Sequence, residues 1–141
     1  MGCGRVGSTL ARSLEERNHT VSIIDSEPDA FRRLGPSFNG DKVTGYGFDQ
    51  AVLEKAGIRR AEAFAAVSSG DNSNIIAARV ARETFGLENV VARIYDHRRA
   101  AVYQKLGIPT VATVKWTADQ VVRRLLPGGL ITEWRDPSGR V

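Results

Sequence analysis

Cysteine and histidine are almost missing from this chain of 141 residues: one Cys, Cys3, and two His, His19 and His97. A single thiol excludes an internal disulfide and suits a reducing compartment. So few nitrogen and sulfur ligands also exclude a Cys/His zinc cage. No apolar run approaches the roughly 20 residues a spanning helix needs, so no direct membrane insertion is expected. The first six residues lack the apolar core of a signal peptide. They also miss the myristoylation pattern, which asks for Ser or Thr where Val6 stands. The 14 glycines and five prolines follow no collagen-like period, and neither an internal repeat nor a low-complexity tract is apparent.

What is present is a globular composition of one-domain size, 42% hydrophobic and 26% charged. The net charge is +4, from 20 basic and 16 acidic residues. The bases are dispersed pairs, Arg32-Arg33, Arg59-Arg60, Arg98-Arg99 and Arg123-Arg124. A nucleic-acid surface would want them clustered with interleaved aromatics, so solvated helix faces are the better reading and no nucleic-acid partner is expected.

Gly2, Gly4 and Gly7 form G-x-G-x-x-G, with Cys3, Arg5 and Val6 at the variable positions. A helix-like stretch follows from Arg5 to Arg17, with Val6, Leu10 and Leu14 on one face. Thr20 to Ile24 then reads as a β-branched strand. It ends at Asp25, followed by Ser26, about twenty residues past the glycines, where a dinucleotide site needs an acid. The glycines allow a tight turn, approach of phosphate to backbone, and close helix–strand packing. The helix N-terminus offers free N–H groups and its positive dipole end. A plain strand-to-helix turn is the alternative. Only Met1 precedes the glycines, so the central strand that should come first is expected upstream of a trimmed or misassigned start.

The alternation continues. The pattern predicts a helix from Glu27 to Leu34, a strand at Lys42–Tyr46 and a helix capped by Asp49 and ended by Gly57. A doubly buried strand is predicted at Ala63–Val67, a helix from Ser73 to Phe85 and a strand at Asn89–Ile94. A helix opened by Asp96, a strand at Thr110–Val114 and a helix from Trp116 to Leu126 complete the series. This is a Rossmann-type α/β fold, a doubly wound parallel sheet with helices on both faces. Residues 1–127 form the expected nucleotide-binding domain. Residues 128–141 break the pattern after Pro127-Gly128-Gly129 and read as a linker or the start of a further domain.

No catalytic pair emerges. None of the three tyrosines is followed four positions later by lysine, as the short-chain reductases require. His97 beside Asp96 suits a helix start better than a dyad, since sequence neighbours do not face each other on a helix. Cys3, near a helix N-terminus that could lower its pKa, would face phosphate, which argues against a nucleophile. Arg5 can face phosphate and Asp25 suits ribose hydroxyls. Ser68 and Ser69 end a strand at the crevice edge. Arg93 ends the next one, as a crevice residue or as half of a surface ion pair.

The ordered series Gly-Cys-Gly-Arg-Val-Gly, Asp25, Gly45-Tyr46-Gly47-Phe48-Asp49 with Leu53–Ile58, Ala66 to Asn74, and Val91 to Asp96 resembles a known family. It is similar to the N-terminal RCK or KTN domain of Trk/Ktr-type potassium-uptake regulators, most of all the actinobacterial ones. The resemblance covers about residues 2 to 126. It implies a non-catalytic cytoplasmic subunit that binds NAD(H), ADP or ATP. Such a subunit pairs as a homodimer or larger ring and gates a membrane potassium transporter from the inner face of the membrane. Carried over by position, Gly2 to Gly7 hold phosphates, Asp25 with Ser26 the ribose, Ser68 and Ser69 the adenosine side, and Arg93 a phosphate. Asp49 is the acid of the family's Gly-Asp step, interrupted here by Phe48. Lys115 stands where ATP-responsive members carry an acid, which weakens an ATP-sensing role. A truncated NAD-dependent oxidoreductase lacking its catalytic domain is the alternative. The sequence beyond Val141 would separate the two.

Overall fold

The structure, a computed structural model, describes residues 1–126. Five strands run in parallel. β1 (Ser22–Asp25) pairs with β2 (Asp41–Thr44), and β4 (Asn89–Ile94) lies between β3 (Ala63–Ala66) and β5 (Thr110–Ala112). Met1 and Gly2 join the two groups. The Gly2 N–H donates to the Ile24 carbonyl at 2.8 Å, the Val67 N–H to the Met1 carbonyl at 2.8 Å, and the Met1 amine to the Ala65 carbonyl at 2.8 Å. The spatial order is therefore β2, β1, Met1–Gly2, β3, β4, β5, that of a Rossmann-type sheet.

Helices α1 (Arg5–Glu16), α2 (Gln50–Lys55), α3 (Asp71–Arg79), α4 (His97–Lys105) and α5 (Thr113–Leu125) alternate with the strands. Side-chain alternation along β1 feeds two cores. Ile23 packs with Cys3, Ala11, Leu34 and Phe38, while Ile24 packs with Val43, Leu53, Ile75, Ala77, Ile94 and their neighbours. Leu34, Leu53 and Ile94 are fully buried, each contributing about 1.5–3 kcal/mol.

Several expectations are corrected. α1 buries Gly7, Ser8 and Ala11, not a stripe of Val6, Leu10 and Leu14. The glycine turn brings the helix so close that only small residues fit beneath it, and Val6 is left 40% exposed. Pro28–Leu34 is a 3-10 helix. The predicted Ser73–Phe85 helix starts at Asp71 and closes through a π turn at Val80–Thr84. β3 is not buried on both faces in this chain: Ala63 is exposed, Phe64 and Ala65 are half-buried, and only Ala66 is fully buried. β5 stops at Ala112, and α5 begins at Thr113. No residue of α5 is buried, so it does not cover the sheet as expected. The reading of 128–141 as linker or next domain lies outside the described residues.

Candidate functional site

The carboxyl ends of the strands open into one cleft of about 1080 Å³. Its floor is the glycine loop. Gly2 has φ +99°, and a Cβ there would lie 2.7 Å from the Ser68 nitrogen, so the loop can press against the end of β3 only as glycine. A Cβ on Gly7 would lie 1.8 Å from the Gly2 carbonyl oxygen, which keeps α1 against the turn. Gly4, the N-cap of α1, differs: a Cβ there would meet nothing within 4 Å. Nothing in the protein fold demands glycine at this position.

Asp25 at the end of β1 is tied to the loop. Its Oδ2 accepts from the Cys3 N–H at 2.7 Å and its Oδ1 from the Glu27 N–H at 2.9 Å. The carboxylate therefore fixes the glycine turn against β1 while still facing the cleft. Cys3 is fully buried, with its thiol 3.3 Å from the Ala30 carbonyl. Burial, reinforced by the Asp25 carboxylate, pushes its pKa up. The helix N-terminus does not create a reactive thiolate here, and Cys3 packs as a small core residue.

On the far wall, Asn74 is fully buried and joins two strand ends. Its Oδ1 accepts from the Ser68 N–H at 2.9 Å and the Ser68 hydroxyl at 2.6 Å. Its Nδ2 donates to the Ser68 carbonyl at 2.9 Å and the Arg93 carbonyl at 2.8 Å. Asp71, in the first turn of α3, accepts from the Tyr95 N–H at 2.8 Å and the Asp96 N–H at 3.1 Å, which holds the turn between β4 and α4. The Arg93 guanidinium lies 4.5 Å from the Tyr95 ring centre and donates to the Tyr95 hydroxyl, while its buried Nε has no partner.

Of the residues singled out from sequence, Gly2, Cys3, Gly4, Arg5, Val6, Asp25, Ser26, Ser68, Ser69 and Arg93 line this one cleft. Gly7 stands behind it. Asp49 is not in the lining: it caps α2, its Oδ1 accepting from the Ala51 N–H at 2.8 Å. Asp96 caps α4, with the exposed His97 in its first turn. Lys115 pairs with Asp119 at 3.1 Å on α5 and lies outside the cleft. Arg32 and Arg33, which stand close enough in sequence to Asp25 to turn toward a nucleotide, do line the cleft, while the bracing residues Asn74 and Asp71 and the cleft-facing pair Tyr46 and Phe48 had no assigned site role. Asn74 had a signal: it lies three, four and seven positions before Ala77, Ala78 and Ala81, all on the buried face of the α3 stretch. Among the described residues no cluster of His, Cys, Asp and Glu could hold a metal ion, and no helix is long and apolar enough to cross a membrane.

Known proteins share this fold. The family model described as the TrkA-N domain matches residues 1–114. The Trk system potassium uptake protein TrkA of Streptomyces coelicolor is 72% identical over 141 residues, covering 100% of this chain and 63% of that protein. The chain thus spans less than two thirds of that relative's length. The TrkA-N domain of the Escherichia coli inner membrane protein ybaL superposes with a TM-score of 0.76 at 18% identity, covering 89% of this chain and 93% of the other. The Shewanella denitrificans Kef CTD in its AMP-bound form gives 0.75 at 22%, covering 94% and 83%. The NAD-bound GsuK channel gives 0.60 at 23%, covering 73% and 19%. At such identities these structures attest the fold. The match of the family model over most of the chain, together with the close relative, shows that the chain belongs to the TrkA-N domain family.

Proposed function

We propose that this chain is the nucleotide-binding regulatory part of a Trk-type potassium uptake protein. It binds NAD(H), or ADP or ATP, and controls a membrane potassium transporter from the cytoplasmic side without catalysing a reaction. The observation that carries this reading is the convergence of the open Gly4 position, the N-terminus of α1, Asp25 and Arg93 on one cleft. Phosphates sit over the glycine loop, where free N–H groups and Arg5 meet them. The ribose hydroxyls meet Asp25. Arg93, with its unpartnered buried Nε, reaches a phosphate from the opposite wall. The AMP-bound and NAD-bound relatives of this fold support the ligand class. In this reading residues 1–127 are the binding unit, and 128–141 are a linker or the start of a further domain. Occupancy acts on the transporter by favouring one domain arrangement over another.

Calorimetric titration with NAD, NADH, ADP and ATP tests the assignment, and binding of none of them overturns it. Two glycine variants refine it. Gly4→Ala should weaken nucleotide binding tenfold or more, because its methyl group stands where phosphate approaches, with a stability cost under about 1 kcal/mol. Gly2→Ala should instead destabilise the fold by about 2–4 kcal/mol through strain and backbone overlap. Equal nucleotide affinity of Gly4→Ala and wild type would move the phosphates elsewhere.

The same reading includes a homodimer. Trp116 and Leu125 on α5 are 63% and 69% exposed, beside Val114, Val121, Val122 and Leu126. On α4, Val102 and Leu106 are also exposed. So much apolar surface on a described helix with no buried residue is the mark of an interaction face. A two-fold pairing of copies is its simplest occupant. Light scattering at tens of micromolar should give a dimer that Leu125→Glu converts to monomer. A monomeric wild type would defeat this.

A further inference from the structure

We propose that Tyr46 and Phe48 form the base platform of this nucleotide site, a stacking surface that favours ligands carrying a planar base. The inference rests on the nucleotide reading above. The sheet order fixes its direction. Phosphates over the glycine loop lie between β1 and β3, and a ribose at Asp25 lies at the end of β1. The next position outward along the same edge is the end of β2, where residues 45–48 line the cleft. Two aromatic rings stand there, stacked on each other at 5.4 Å between centres with 25° between planes. Tyr46 is 62% exposed and Phe48 37%. Exposed apolar rings gain by covering their free faces, and a purine or other flat base presents a matching π-face.

The loop carrying the rings is held in place. Gly45 has φ +154°, and a Cβ there would fall 2.6 Å from a Val52 methyl. A Cβ on Gly47 would fall 1.9 Å from Met1 Cγ, so the Met1 side chain fills the space beneath the loop. Asp49 then anchors the segment as the cap of α2. The pair is thus presented on a fixed turn, with glycine on both sides of Tyr46.

The test compares wild type with Tyr46→Ala and Tyr46→Phe by calorimetric titration of ADP, with ribose 5-phosphate as a competing ligand that has no base. Thermal melting provides the folding control, and the exposure of Tyr46 predicts equal melting temperatures for all three proteins. Tyr46→Ala should bind ADP about ten- to a hundredfold more weakly. Tyr46→Phe should bind it as wild type does, because the ring is kept. Ribose 5-phosphate should bind all three alike. If Tyr46→Ala binds ADP as tightly as wild type, or loses ribose 5-phosphate to the same degree, the platform is wrong while the nucleotide site stands. If wild type binds no nucleotide at all, the site reading fails and the platform with it.

Discussion

Replacing Asn74 by Leu should lower stability by about 3–5 kcal/mol, among the larger effects a single substitution can have. Asn74 sits in α3 with no exposed surface, and its amide meets both the Ser68 backbone and the Arg93 carbonyl. Leucine removes all four hydrogen bonds but leaves the partners in place. The Ser68 N–H, the Ser68 carbonyl and the Arg93 carbonyl are then without a partner, each at a cost of about 1–3 kcal/mol, softened by some relaxation. Against a usual stability of about 5–15 kcal/mol this is a large fraction. It corresponds to a fall in melting temperature of roughly 10–15 °C. Urea or thermal unfolding measures it, and a loss below about 1 kcal/mol would show that the network contributes little. Nucleotide affinity should fall as well, because the ends of β3 and β4 that Asn74 joins form one wall of the cleft.

The second large effect concerns the backbone position between β1 and β3. Met1 and Gly2 alone supply the hydrogen bonds there, and the Met1 amine donates into the sheet at the Ala65 carbonyl. Although the residue is half-exposed, the amine itself is enclosed. Burial lowers its pKa to about 6 from the ordinary 8.0, outweighing the favourable Asp25 charge. Between those values the unfolded chain holds a proton that the folded chain has released. Stability of the 141-residue chain should therefore rise with pH from about 6 to 8, by about 2–3 kcal/mol, and fall as pH drops through the same window. A variant with five or six β-branched apolar residues joined ahead of Met1 should lose this dependence, since its α-amine is moved away. It should also melt higher. A strand in that position pairs with both neighbours and covers Phe64 and Ala65. Melting curves of the two proteins from pH 6 to 8 decide the matter. Equal melting temperatures at pH 8 would mean that β1 and β3 gain nothing from a strand between them.

Much of this molecule was legible as sequence because the deciding forces are local. Asp49 and Asp96 were recognisable as helix caps because a carboxylate one residue before a helix has free N–H groups within reach. β4 was read at its true bounds, since β-branched residues between a polar turn and an Asp cap leave one arrangement. The glycine spacing and Asp25 pointed to a cleft at the carboxyl edge, and the fold places them there. Tertiary structure decided the rest, where the partners are far apart along the chain. That Asp25 holds the glycine turn through the Cys3 N–H depends on two residues 22 positions apart in the chain coming together. That Cys3 is a core residue, with its thiol pKa raised, follows from what packs around it and not from its place near a helix start. Tyr46 reads in sequence as the end of a strand and Phe48 as part of the turn after it, whereas the strand stops at Thr44 and only the order of the strands places the two rings beside Asp25. Helix α5 shows the reverse case. Its composition is apolar enough for burial, yet no residue of it is buried within the described chain, because burial needs a partner surface and sequence does not say where that surface lies.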